Sequence, residues 1–216
     1  MRAGLLTIAV VACLATGCTS AHHAVTSPSP TPSSTTAVAT PTQTQTPTRT
    51  PTPSRPTVPA DVPTTGPNLN QPSEKPPVMP LLATQHTKAG AVAFAKFFEL
   101  TTDWGFATTS SAYMKHYMQP TCLDCLSIRD GLDRAAMAQE HYVGDRLTIT
   151  HAAARSGPPP RGADSGVDVT YDVTSAEVLT SHNAYVDAEP AAKAQDLLWL
   201  SWRKDGWTVV QLVPVH

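Results

Sequence analysis

An α+β domain of three helices packed on a curved antiparallel sheet of about four strands, preceded by a disordered N-terminal tether, is what this sequence predicts. Three observations lead there. No Phe, Tyr or Trp occurs before Phe94, and the stretch up to Leu82 is built of Pro, Thr, Ser and Ala. Apolar residues then recur at helical spacing as far as Tyr142, and beyond Gly144 the period changes to two.

The chain opens with "MRAGLLTIAVVACLATGC", one arginine followed by an apolar run from Leu5 to Leu14 and then small residues. That run is too short to span a membrane and fits the h-region of an export signal. Ala15, Thr16, Gly17 and Cys18 resemble the bacterial lipobox, in which cleavage frees a cysteine that receives a diacylglyceryl thioether. The expected organisation is therefore a lipoprotein signal at 1–17, a lipid-anchored Pro/Thr/Ser-rich linker at 18–83 and a folded domain at 84–216. Ordinary secretion, with cleavage after one of the small residues, is the alternative. Both readings place the mature chain outside the cytoplasm, and the first anchors it to the outer face of the cell membrane.

The linker's apolar content is too small to offset roughly 1–2 kcal/mol per residue of backbone ordering, so it is expected to be disordered. Its prolines favour polyproline II stretches of about 3.1 Å per residue, a reach on the order of 100–200 Å. A bare spacer is the simplest role, and its Thr/Pro content also suits O-glycosylation.

In the domain, Thr87 is a plausible N-cap, and Ala93, Phe97, Leu100 and Trp104 follow on one helical face with Lys96, Glu99 and Asp103 opposite. Phe94 and Phe98 widen the apolar stripe. A second helix is expected from about Gly105 to Met118, ended by Pro120. Thr121 and Asp124 have capping-box spacing, which puts Cys122 and Cys125 on the first turn of a third helix. Ile128, Leu132, Ala135 and Tyr142 carry its stripe, and Gly144 is the expected stop. Strands follow in "RLTITH", in "GVDVTYDV", and on either side of Asp205-Gly206, a hairpin signal joining Leu197–Arg203 to Trp207–Val213. The stretch "SHNAYVDAEPAAKAQ" reads as a loop.

Four cysteines are present; Cys13 leaves with the signal and Cys18 takes lipid, leaving Cys122 and Cys125. An even pair in an oxidising compartment is expected to be a disulfide. A helix N-terminus would also favour a redox-active thiolate, but Asp124 between the two opposes it and no βαβ setting surrounds the pair. No second CxxC or His pair stands at metal-ligand spacing, so no metal and no cofactor is expected. Net charge is −2 without a basic cluster, which argues against nucleic acid as a partner.

The helices-then-sheet order looks like the NTF2-like (cystatin-like superfamily) cone. Together with Cys18, the Pro/Thr tether, "AGAVAFAKFFELTTDW" and "PTCLDC", it resembles a family of actinobacterial lipoproteins of unknown function. The likeness runs from about Lys88 to Val215 and implies place and fold without a mechanism.

No motif assigns a catalytic residue. Two functions follow as expectations. One is a non-catalytic envelope module whose domain binds a small apolar ligand or an envelope protein, with pocket residues Phe97, Trp104, Tyr113, His116, Tyr117, Tyr171, Trp199 and Trp202. Trp199 and Trp202 should lie on opposite sheet faces. The other is an enzyme of isomerase or dehydratase type, by analogy of fold, with Asp103 set beside Tyr113 or His116. A CxxC thiol-disulfide protein is a third, weaker option. Asp124 is expected to cap, and His141 to lie on a helix.

Overall fold

The computed structural model describes residues 56–215. The expected signal, the lipid site at Cys18 and most of the tether lie outside these residues. The domain is α+β, with three helices and two antiparallel sheets, one of three strands and one of four.

Helix α1, Lys88–Thr108, starts where its cap demands: the Thr87 hydroxyl accepts from Gly90 N at 3.0 Å. It runs through Gly105, the expected start of a second helix. A Cβ on Gly105 would stand 2.8 Å from Leu132 Cδ1, so this glycine permits close helix packing and breaks nothing. The helix ends at Thr109, whose φ of 51° is left-handed. Only the short α2, Ala112–Lys115, remains of the expected second helix.

The buried stripe of α1 is also wider than the periodicity implies. Phe94, Phe97, Phe98 and Trp104 are buried, but Leu100 is 36% exposed while Glu99, assigned to the solvent face, is only 2% exposed and Asp103 is buried with it. The helix packs against β2 and β3 on one side and the segment before it on another, so only a narrow stripe through Ala89, Lys96 and Leu100 is left to water.

Helix α3, Leu123–Met137, is capped at Cys122 with no side-chain hydrogen bond; neither Thr121 nor Asp124 forms the expected capping box. Gln139, at φ 57°, turns the chain out of the helix. His141 and Tyr142 therefore belong to strand β1, Glu140–Gly144, rather than to α3.

The four expected strands are β2 (Leu147–Ala154), β3 (Ser165–Val173), β6 (Ala192–Arg203) and β7 (Gly206–Val215), in sheet order β2-β3-β6-β7. The hairpin register pairs Arg203 with Gly206, so the two-residue loop is Lys204-Asp205, one position earlier than the Asp-Gly signal implied. Three further strands form the second sheet in the order β1-β4-β5, with β4 at Ala176–Thr180 and β5 at Tyr185–Glu189. Part of the "loop" is thus an exposed edge strand.

Residues 56–83, expected to be tether, lie against the domain as a strap. Val62 and Ala83 are buried in the core, with Val58, Leu69 and Met79 packed on it. The strap's carbonyls meet the domain's aromatic donors: Trp104 Nε1 donates to Pro63 O at 2.9 Å, and the Tyr113 hydroxyl donates to Pro77 O. The Asn68 amide pairs with both backbone groups of Gly144. Prolines lose little freedom on ordering, which lets a segment without aromatics pack at modest entropic expense.

A half-buried arginine locks the arrangement. Arg146 donates to Asp103 (Nη2–Oδ2 2.8 Å, Nε–Oδ1 3.1 Å), to Glu74 (Nη2–Oε1 2.6 Å) and to Asn68 O (3.1 Å). One guanidinium, in the turn between β1 and β2, therefore joins that turn to α1 and the strap, and its hydrogen bonds hold the Glu74 carboxyl below the usual range.

Candidate functional site

The eight expected pocket residues do not form one pocket. Phe97, Trp104 and Tyr113 are core, their rings enclosed and the polar donors of Trp104 and Tyr113 spent on the strap. Trp199 lies over Gly166 of β3, where a Cβ would stand 2.5 Å from its ring. Tyr171 points to Asp196. His116, Tyr117 and Trp202 do come together, on a cleft of about 610 Å³ between the α2 turn, the β6–β7 hairpin and the strap.

The cleft is organised around Trp202. His86 stacks on it with ring centroids 4.8 Å apart and planes 5° from parallel. Trp207 meets both rings edgewise, and its Nε1 donates to Gln85 O at 2.9 Å, which fixes the cluster. His86 covers one face of the Trp202 indole, and the cleft lies along Trp202 without His86 in its wall. At the rim, His116 Nε2 lies 2.8 Å from Asp61 Oδ1, a hydrogen bond that lowers the Asp61 pKa. With its oxygen turned inward, the Gln119 amide accepts from Arg203 Nη2 at 3.0 Å and Nε at 3.2 Å. A second hollow of about 360 Å³ shares Gln119 and Arg203 with the first and continues past Asp124 and Arg161.

A different set of residues carries acid chemistry, and none of it was singled out from sequence apart from Tyr171. Glu99 on α1 is buried with its Oε1 unpartnered among the described residues. Burial, and after it the charge on Asp196, push its pKa well above the usual carboxylate range. The Tyr171 hydroxyl donates to Asp196 Oδ2 at 2.7 Å, and burial raises its pKa as well. Asp145 is pushed up to about 6, first by burial and then by Glu189 and Asp103. A signal existed: Glu99 and Asp103 are like charges four apart on a helix, tolerable in a core only if one is neutral and the other paired. The expected grouping of Asp103 with Tyr113 or His116 does not form. Asp103 holds Arg146 and Leu147 N, Tyr113 bonds Pro77 O and His116 faces Asp61.

Cys122 and Cys125 are joined as a disulfide, with Cα atoms 5.3 Å apart and both residues fully buried. Among the described residues there is no group of three or more His, Cys, Asp or Glu able to hold a metal ion. None of the helices described is long and apolar enough to cross a membrane.

Comparison with solved structures finds distant likenesses. The intermembrane space region of the chloroplast protein ARC6 aligns at 12% identity and a TM-score of 0.46, over 61% of this chain and 98% of that one. Aln2 from a Streptomyces species aligns at 13% identity and a TM-score of 0.36, over 56% and 87%. At these scores the likenesses assign nothing to this chain. No curated protein matches it. Residues 58–212, from within the strap to β7, match a family of unknown function, DUF6318, and the chain belongs to that family.

Proposed function

We propose that this chain is a cell-envelope lipoprotein, held to the outer face of the membrane through an acylated Cys18, that presents a non-catalytic binding domain with an NTF2-like fold. Its ligand site is the cleft along Trp202. The lipobox-like leader and the Pro/Thr-rich stretch after it support the anchor. The order of three helices and then an antiparallel sheet supports the fold. The observation that carries the binding reading is the union of His116, Tyr117 and Trp202 with Gln119 and Arg203 on one open cleft, where an aromatic platform meets polar groups.

Two measurements test it. Palmitate labelling and detergent partitioning of the full chain should be lost in Cys18→Ser; labelling that persists removes the anchor. Beads carrying the full chain should retain envelope components from a detergent extract, and Trp202→Ala with Arg203→Ala should release them. Equal retention by both proteins removes the cleft as the site.

One observation favours a second reading, the isomerase- or dehydratase-type enzyme. Glu99 with its raised pKa, Asp196 and the Tyr171 hydroxyl form the kind of acid–base grouping such chemistry needs. That reading requires access to Glu99. Infrared detection of its protonated carboxyl, with no exchange into D₂O over many minutes in the native state, would count against it.

A further inference from the structure

We propose that the cleft takes a linear, uncharged oligosaccharide; this deepens the binding reading above and rests on it. Four features lead to that ligand class. The two hollows lie side by side with Gln119 and Arg203 common to both, so one pair of side chains can serve neighbouring units of a repeating chain. Trp202 is a rigid aromatic plate backed on one face by His86, and the electron-rich face of an indole attracts the polarised C–H groups of a sugar ring. The Gln119 amide and the Arg203 guanidinium are flat, pre-paired hydrogen-bonding groups beside that plate, matched to adjacent ring hydroxyls.

Charge is the fourth feature. Each hollow is lined by both signs of charge, Arg203 and Lys204 with Asp205 in the first and Arg161 and Arg203 with Asp124 in the second, so a polyanion would meet a carboxylate in either. A neutral polyhydroxylated chain meets donors and acceptors of both kinds. An extended peptide fits less well. It would bind by adding a strand to an open sheet edge, and at the cleft the β7 edge is already taken: Gln119 N donates to Val209 O and Val209 N donates to Tyr117 O, each at 2.8 Å.

The test is titration of the full chain with cellotetraose, chitotetraose and tetragalacturonate, followed by tryptophan fluorescence and calorimetry. Saturable binding of a neutral or N-acetylated tetramer is expected, with the acidic one weaker. Arg203→Ala, an exposed position, and Trp202→Ala should each weaken it about tenfold or more, and Trp202→Phe should restore part of the loss. Melting curves of the variants establish that the fold persists. The proposal is overturned if no tetramer saturates at millimolar concentration, if the acidic one binds tightest, or if Arg203→Ala and Trp202→Ala bind as wild type does. Should the sugars fail while the beads still retain an envelope component through Trp202, the binding reading survives and the ligand class falls. Should both fail, so do both readings.

Discussion

Replacing Glu99 with glutamine removes one titrating proton from the interior, and its effect on stability is set by pH. Glu99 is 2% exposed, and burial together with the charge on Asp196 raises its pKa above the unfolded value of 4.5. Above that value the folded chain binds more protons than the unfolded one, so stability falls as pH rises, until pH passes the folded pKa. The slope for one proton is about 1.4 kcal/mol per pH unit. At roughly 2–4 °C per kcal/mol for a domain of this size, that is about 3–6 °C in Tm per pH unit. Glu99→Gln has no such proton, so its stability relative to wild type should grow by this amount with each pH unit above about 4.5. Urea unfolding of both proteins at half-unit steps from pH 4.5 to 8 measures the difference, and taking the difference cancels what the other acids contribute. Parallel profiles over that range would show that Glu99 keeps an ordinary pKa in the fold, and the reasoning from its burial would be refuted.

Asp145 titrates between its ordinary 3.8 and about 6, in the same direction. Asp145→Asn should therefore stabilise by ~1 kcal/mol at pH 7, after discounting for partial exposure, and not at pH 3.5; asparagine also accepts the left-handed φ of 53°. Thermal melts at the two pH values check this. Arg146→Lys keeps the charge and loses the fork that holds Asp103 and Glu74, at a cost of about 2–4 kcal/mol, and should open the strap to limited proteolysis before the rest unfolds. Replacing both Cys122 and Cys125 with alanine should destabilise by about 2 kcal/mol from loop closure, with a further loss from the space left by two buried sulfurs. Urea curves give the size, and brief exposure of the native wild-type chain to reductant should leave the enclosed bond intact.

What was legible from sequence is what depends on neighbours in the chain. Thr87 begins α1 because a cap is read within one turn, the stretches of β2 and β3 alternate in sequence, and β6 and β7 are marked by the turn at Asp205-Gly206 that joins them. Elements whose partners lie far away were hidden. The strap has no aromatic of its own and packs by covering Trp104 and Tyr113, which lie downstream. Strand β5 is exposed throughout and so carries no alternation. Glu99 and Asp103 look like a solvent face until Arg146 and Asp196 are brought to them by the sheet. The cleft was half visible: aromatic residues were good candidates, but only folding separates Trp202 at the surface from Trp104 in the core. Nothing local marks His86, Gln119 or Arg203 as its companions.

The strap also decides what the smallest self-sufficient piece of this protein is. A fragment cut at α1 would lack the carbonyls that receive Trp104 and Tyr113, the Asn68 amide that completes Gly144, and the Glu74 carboxylate that shares Arg146. Truncation there would strand three donors and a guanidinium in a half-uncovered interior, so a shortened version begun at Lys88 should aggregate where one begun at Pro56 stays in solution. The visible end of the helical pattern is not the end of the folding unit.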